Sequence, residues 1–108
     1  MKRIPMSAEG QSRRSVNLDG VLVVLVTRYN PTLRYWIMDI LDAEEDDVLL
    51  GVVMVPNEDF LAAHPQLKKT LGSLVLVERR ADLCREPTSL GTDTQLLWYA
   101  VDEETVLP

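Results

Sequence analysis

Leu18-Asp19-Gly20-Val21-Leu22-Val23-Val24-Leu25-Val26 is the stretch that decides the fold. Asp-Gly between two extended segments is a strong two-residue hairpin signal, because both central residues need positive φ. The expected register sets Leu18 opposite Val21 and Val16 opposite Val23, which puts all four on one face. Past the turn, every residue from Val21 to Val26 is apolar. A strand with one wet face alternates apolar and polar residues, whereas a strand that is apolar throughout needs cover on both faces.

Similar runs recur at Tyr35–Leu41, Val48–Val55, Leu74–Val77 and Leu96–Val101. In a small β domain the core covers one face. A second subunit, identical or different, is the simplest cover for the other. The pattern therefore predicts a protein built into an assembly.

Working outward, Gln11–Leu18 reads as the first strand and Val21 opens the second, which Asn30-Pro31 ends. A third strand spans Leu33–Asp42, with Trp36, Met38 and Ile40 on one face and Tyr35, Ile37 and Asp39 on the other. The acidic turn Ala43-Glu44-Glu45-Asp46-Asp47 leads into a fourth strand, Val48–Val55, where Gly51 marks a bulge or a close backbone approach. Around residues 57–70 lies the one short helical segment. Asn57 or Asp59 would cap a turn through Phe60–Ala63, His64-Pro65 would end it, and Gln66–Leu71 would add another. Leu74–Arg80 and Thr94–Val101 complete six strands, separated by a loop holding Cys84, Pro87 and Gly91. The expected fold is all-β, a six-stranded antiparallel barrel or sandwich. It divides into an N-terminal arm (1–10), a β domain (11–101) and an acidic tail (102–108).

The chain has 108 residues, enough for one domain with a single core. One cysteine excludes an internal disulfide and a CxxC zinc pattern. The N-terminus has a basic start but no apolar run behind it, so it is not read as a signal peptide. The longest uninterrupted apolar run, about six residues, falls far short of the ~20 that a membrane helix needs. A soluble chain with no membrane partner is expected. The net charge of −6 and the scattered Arg13-Arg14, Arg79-Arg80 and Lys68-Lys69 pairs argue against specific nucleic-acid binding.

Catalysis finds little support. His64 is the one histidine, and neither Ser73 nor Ser89 sits in a Gly-x-Ser-x-Gly elbow; Cys84 with His64 has no local signature either. The carboxylates of Asp102-Glu103-Glu104 lie in the tail rather than converging on a cleft. The turn Asp42–Asp47 gathers oxygens that a calcium ion would accept, but it lacks the EF-hand glycine and terminal glutamate. A solvated hairpin tip is the plainer reading. No cofactor, small-molecule substrate or catalytic residue is expected. Trp36 and Trp98 are expected in the core. Tyr35 and Tyr99, on the opposite faces of the same strands, suit a subunit interface, since a tyrosine offers an apolar ring and a polar tip.

Several segments in order carry a resemblance. They are Ile4-Pro5, Leu18-Asp19-Gly20, Arg28-Tyr29-Asn30, Trp36–Ile40, Leu49–Val52, Leu71–Val75, and a closing Leu90-Gly91 with Leu96–Tyr99. Together they resemble the small baseplate plug proteins of contractile-tailed phages, typified by a cyanophage plug. The likeness spans about residues 4 to 101. It implies a structural component of a tail baseplate in the virion, made in the bacterial host cytoplasm, that plugs or organises the distal end of the tail tube at the hub. It also implies trimeric or hexameric rings, contacts with hub, spike and tail-tube proteins, and no enzyme activity. The faces of Tyr35 with Ile37 and of Leu97 with Tyr99 are the expected contacts. The alternative is a small monomeric β-barrel module that binds a peptide by edge-strand addition.

Overall fold

The computed structural model describes residues 1–8, 11–79, 85, 88, 90, 91 and 94–101. It contains strands β1 (Lys2–Ile4), β2 (Gln11–Leu18), β3 (Val21–Asn30), β4 (Tyr35–Leu41), β5 (Asp47–Val53), β6 (Ser73–Glu78) and β7 (Thr94–Tyr99), with one helix, α1 (Pro65–Leu71). They form two antiparallel sheets of order β1-β7-β6 and β2-β3-β4-β5. Of the two architectures expected, the sandwich is the one found. Its core takes Leu18, Val23, Leu25, Trp36, Met38 and Ile40 from the four-stranded sheet. Ile4, Leu74, Leu76, Leu96 and Trp98 come from the other.

The hairpin forms as read. Asp19 and Gly20 have φ of 54° and 87°, Leu18 pairs with Val21, and Val16 pairs with Val23. Gly20 N–H donates to Asn17 Oδ1 at 2.6 Å, which ties the turn. At the far end of β3, Asn30 Oδ1 accepts from Thr32 and Leu33 N–H, both at 3.0 Å, so the chain reverses at Pro31. The irregularity expected at Gly51 is present. Met38 pairs with Val52 but Ile40 pairs with Leu49, so β5 carries an extra residue opposite Asp39. Asp39 Oδ1 accepts the Gly51 N–H at 2.8 Å within that bulge.

Within the expected arm, residues 2–4 form an edge strand on β7, with Lys2 opposite Trp98 and Ile4 opposite Leu96. The reason is Ile4, which is 2% exposed and belongs to the core. One buried side chain in a charged tripeptide leaves almost no periodic signal.

The one helix among the described residues falls in the short helical segment expected around residues 57–70. Residues 57–60 run along the free edge of β6, where Asn57 N–H donates to Leu76 O and Phe60 N–H to Leu74 O, both at 2.8 Å. A turn over residues 60–63 ends before His64, and the further turn expected over Gln66–Leu71 is α1, which begins at Pro65 with His64 at the N-cap. Proline suits a first helical turn because the N–H it lacks would be unpaired in any case.

Asp59 locks these pieces together. Its carboxylate accepts from Leu61 N–H at 3.0 Å and Leu74 N–H at 3.3 Å, and from Lys68 Nζ on α1. Lys68 Nζ also donates to Ser73 Oγ at 2.8 Å. Burial opposes the charged form of Asp59, but Lys68, the Leu61 N–H and Ser73 outweigh it and hold the carboxyl below its usual range. A depressed folded pKa gives stability that is complete above the unfolded value, about 3.9. That stability is lost as pH falls through the folded one. Wild-type protein is therefore expected to lose more thermal stability than Asp59→Asn on going from pH 5 to pH 2. Parallel melting curves for the two proteins, read by circular dichroism, would refute the linkage.

Candidate functional site

The chemistry-bearing residues considered from the sequence do not assemble into a reactive centre among the described residues. His64 is exposed at the start of α1, and Ser73 is buried with its hydroxyl taken by Lys68. Cys84, Ser89 and the tail carboxylates lie outside the described residues. Asp42, Glu44 and Asp46 bring one carboxylate oxygen each within 4.8 Å of one another. Asp42 Oδ1 already accepts from Glu44 and Asp46 N–H, both at 2.9 Å, so the cluster has a structural cause in the turn itself.

The outer face of the four-stranded sheet is the more distinctive surface. Alternation along β3 sends Val23 and Leu25 into the core, while Val24 and Val26 form a second apolar cluster with Leu41 on the opposite side. Ile37 shares that side, since its neighbours Trp36 and Met38 face the core. These four outward residues are 6–8% exposed in the single chain. Part of their cover comes from charged side chains. Arg13, registered opposite Val26, ion-pairs with Glu45 in the turn after β4, so the pair spans β3. Arg28 Nη1 donates to Asp39 Oδ2 at 2.7 Å between β3 and β4. The long stems of such residues shield apolar surface while their heads stay wet. Leu22 and Val53, at the margins of the face, remain 45% and 37% exposed.

The four residues expected at an interface do not lie on one surface. Ile37 is on the outer face just described and is buried. Tyr35, at the start of β4, is half-buried. Arg85 stacks over its ring, 4.6 Å from the centroid, and donates to its hydroxyl at 3.1 Å. Leu97 and Tyr99 lie on the non-core face of β7 in the other sheet. There Leu97 is half-buried and Tyr99 is 7% exposed. Tyr35 and Leu97 thus keep accessible surface, while Ile37 and Tyr99 are mostly covered within the chain. Leu22, Leu50 and Val53 are exposed apolar side chains that the apolar runs do not single out; their exposure follows from positions at the rim or on the edge strand β5. The bulge in β5 was the available signal, because it shifts that strand's face assignments.

Beside β5 runs a groove of about 540 Å³, walled by Val48, Leu49, Ala63, Pro65 and Leu67.

The described residues thus form a two-sheet β-sandwich with a second apolar cluster on the outer face of its larger sheet. A family described as the cyanophage baseplate Pam3 plug gp18 matches residues 1–103, and the chain belongs to that family. No curated protein matches it. Membership supports a structural role in a phage baseplate, a place in the tail baseplate of the virion and interaction with other baseplate components. It points away from catalysis.

Proposed function

We propose that this chain plugs or organises the distal end of a contractile tail tube at the baseplate hub, as a trimeric or hexameric ring touching hub, spike and tube proteins. The family match over residues 1–103 carries this reading. The exposed side chains of Leu22 and Val53 at the margins of the outer face support it, because such apolar surface is suited to burial against a neighbour. The mechanism is geometric. Neighbours cover the Tyr35/Ile37 and Leu97/Tyr99 faces in the ring, and the contacts part or rearrange when the tail fires. Synthesis takes place in the host cytoplasm before incorporation.

The test uses the two interface residues that keep accessible surface. Tyr35→Asp with Leu97→Asp is expected to fold like wild type and to be depleted at least tenfold from purified tails, measured by mass spectrometry against the tube protein. Wild-type incorporation of the double variant would exclude those faces. Absence of the wild-type chain from purified tails would exclude the baseplate role.

The groove beside β5 favours one other reading, peptide capture by strand addition on that edge. It predicts a chain that stays monomeric and binds an extended peptide with protection of β5 amides.

A further inference from the structure

We infer that the groove between β5 and the start of α1 is the seat of this chain's own residues 102–107, which run back along α1 from Val101. The inference concerns the chain by itself and does not rest on the baseplate reading.

The course of the chain up to Val101 aims this segment at the groove. The backbone of Tyr99 and Ala100 passes against Gly72, at the C-terminal end of α1. Val101, which is 56% exposed, then shares a hollow of about 290 Å³ with Pro65, Lys68 and Lys69. Spacings of three and four residues put those three on one side of the helix. By residue 101 the chain has therefore turned from the end of α1 onto its flank. Pro65 lines this hollow and also the groove walled by Val48, Leu49, Ala63 and Leu67. The two depressions meet at the first turn of α1.

The length fits. α1 has seven residues, and at about 1.5 Å per residue it is roughly 10 Å long. An extended chain covers up to about 3.3–3.6 Å per residue, so five residues span roughly 17 Å. Val106 is the fifth residue after Val101. It clears the helix and reaches the groove, and Leu107 follows it in.

The order of side chains along the segment matches the order of surfaces along that path. Asp102, Glu103 and Glu104 come first, where the path passes the lysines. Lys68 is engaged by Asp59 and Ser73. Lys69 is exposed, and a carboxylate beside it gains from the opposite charge. Val106 and Leu107 come last, where the walls are aliphatic. The opposite order would set carboxylates near Asp47, the neighbour of Val48, and lay the aliphatic pair over the lysines. Attachment also favours this occupant. A segment on a short tether is present at an effective concentration of about 1 mM, which a separate peptide or a second copy does not have in dilute solution.

The contact is small. Two aliphatic side chains and an exposed ion pair are gained, and the entropy lost in ordering the segment opposes them. Seated and open forms are therefore expected to interchange rapidly.

Methyl-labelled full chain, followed by nuclear magnetic resonance, tests this. Overhauser contacts are expected from the Val106 and Leu107 methyls to those of Leu49, Ala63 and Leu67, with intensities unchanged over a tenfold range of concentration. Val106→Asp with Leu107→Asp should abolish the contacts, shift the Leu49, Ala63 and Leu67 methyl signals and leave the melting temperature as in wild type. Lys69→Glu should lower the ratio of seated to open segment about threefold, whereas Lys69→Arg should keep it. Absence of the contacts, with groove signals in the double variant that match wild type, overturns the inference. Contacts that arise only between differently labelled copies in a mixed sample overturn it too, and assign the groove to a second copy. An unaltered ratio in Lys69→Glu overturns the path along α1. If Lys69→Glu does not fold, the double variant decides. None of these results bears on incorporation into tails, which tests the baseplate role separately.

Discussion

Alanine at position 72 is expected to destabilise the protein by about 3–5 kcal/mol, more than any surface change. Gly72 follows the last residue of α1 with φ of +94°, a conformation that residues with a Cβ rarely adopt. That strain alone is worth about 1–2 kcal/mol. Steric overlap adds to it. An added Cβ would run into the carbonyl oxygen of Tyr99 and lie 3.1 Å from the carbonyl carbon of Ala100. Both atoms are backbone, so no side chain can swing away. Relief requires the end of α1 to lift off β7, which would also loosen the Gly72 N–H bond to Lys68 O. Urea unfolding followed by tryptophan fluorescence measures the effect. A loss below 1 kcal/mol would show that the helix end has more room than the structure gives it.

Trp98→Ala is the second large effect, expected at about 3–5 kcal/mol. Trp98 faces the core from β7, and its indole Nε1 donates to Leu71 O at 2.6 Å. That carbonyl belongs to the last residue of α1, where helical acceptors have no partner further along the chain. Trp36 provides the control. It is 1% exposed and packs edge-on against Tyr29, with ring centroids 5.6 Å apart, yet its Nε1 has no hydrogen-bond partner among the described residues. The two alanine variants should therefore be similar, while the phenylalanine variants separate. Trp36→Phe removes an unpaired buried donor along with some volume. Trp98→Phe removes volume and leaves the Leu71 carbonyl unpaired, which costs about 1–2 kcal/mol more. Equal losses for the two phenylalanine variants would mean that the indole bond contributes nothing net.

The same contrast explains what was legible from sequence. The Asp19-Gly20 hairpin was readable because turn type, register and apolar face are all local properties, and β2 and β3 follow from them. Trp36, Met38 and Ile40 were assigned to the core because strand period is 2 and the pattern was uninterrupted. Ile4 was not, since its burial depends on Leu96, far away along the chain. The edge pairing of residues 57–60 was not readable for a similar reason. Asp59 caps the turn over residues 60–63 through the Leu61 N–H, as local rules suggest, but its bonds from Leu74 N–H and Lys68 come from residues those rules do not reach. Among the expected contact residues, Tyr99 lies on the non-core face of β7, whereas Tyr35 packs against the core cluster. Their actual exposure depends on Arg85 and on packing across the sheet, which strand period does not encode.

The pairing of β1 with β7 has a consequence for biosynthesis. Lys2 meets Trp98, so the opening segment has no seat until residue 98 has left the ribosome. The β2–β5 meander, made from neighbours in sequence, can gather while translation continues. During that interval its inner leucines and valines await the opposite sheet. Translation at about 5–20 residues per second keeps that half-built sandwich waiting for seconds, with apolar side chains bare on one side of the sheet.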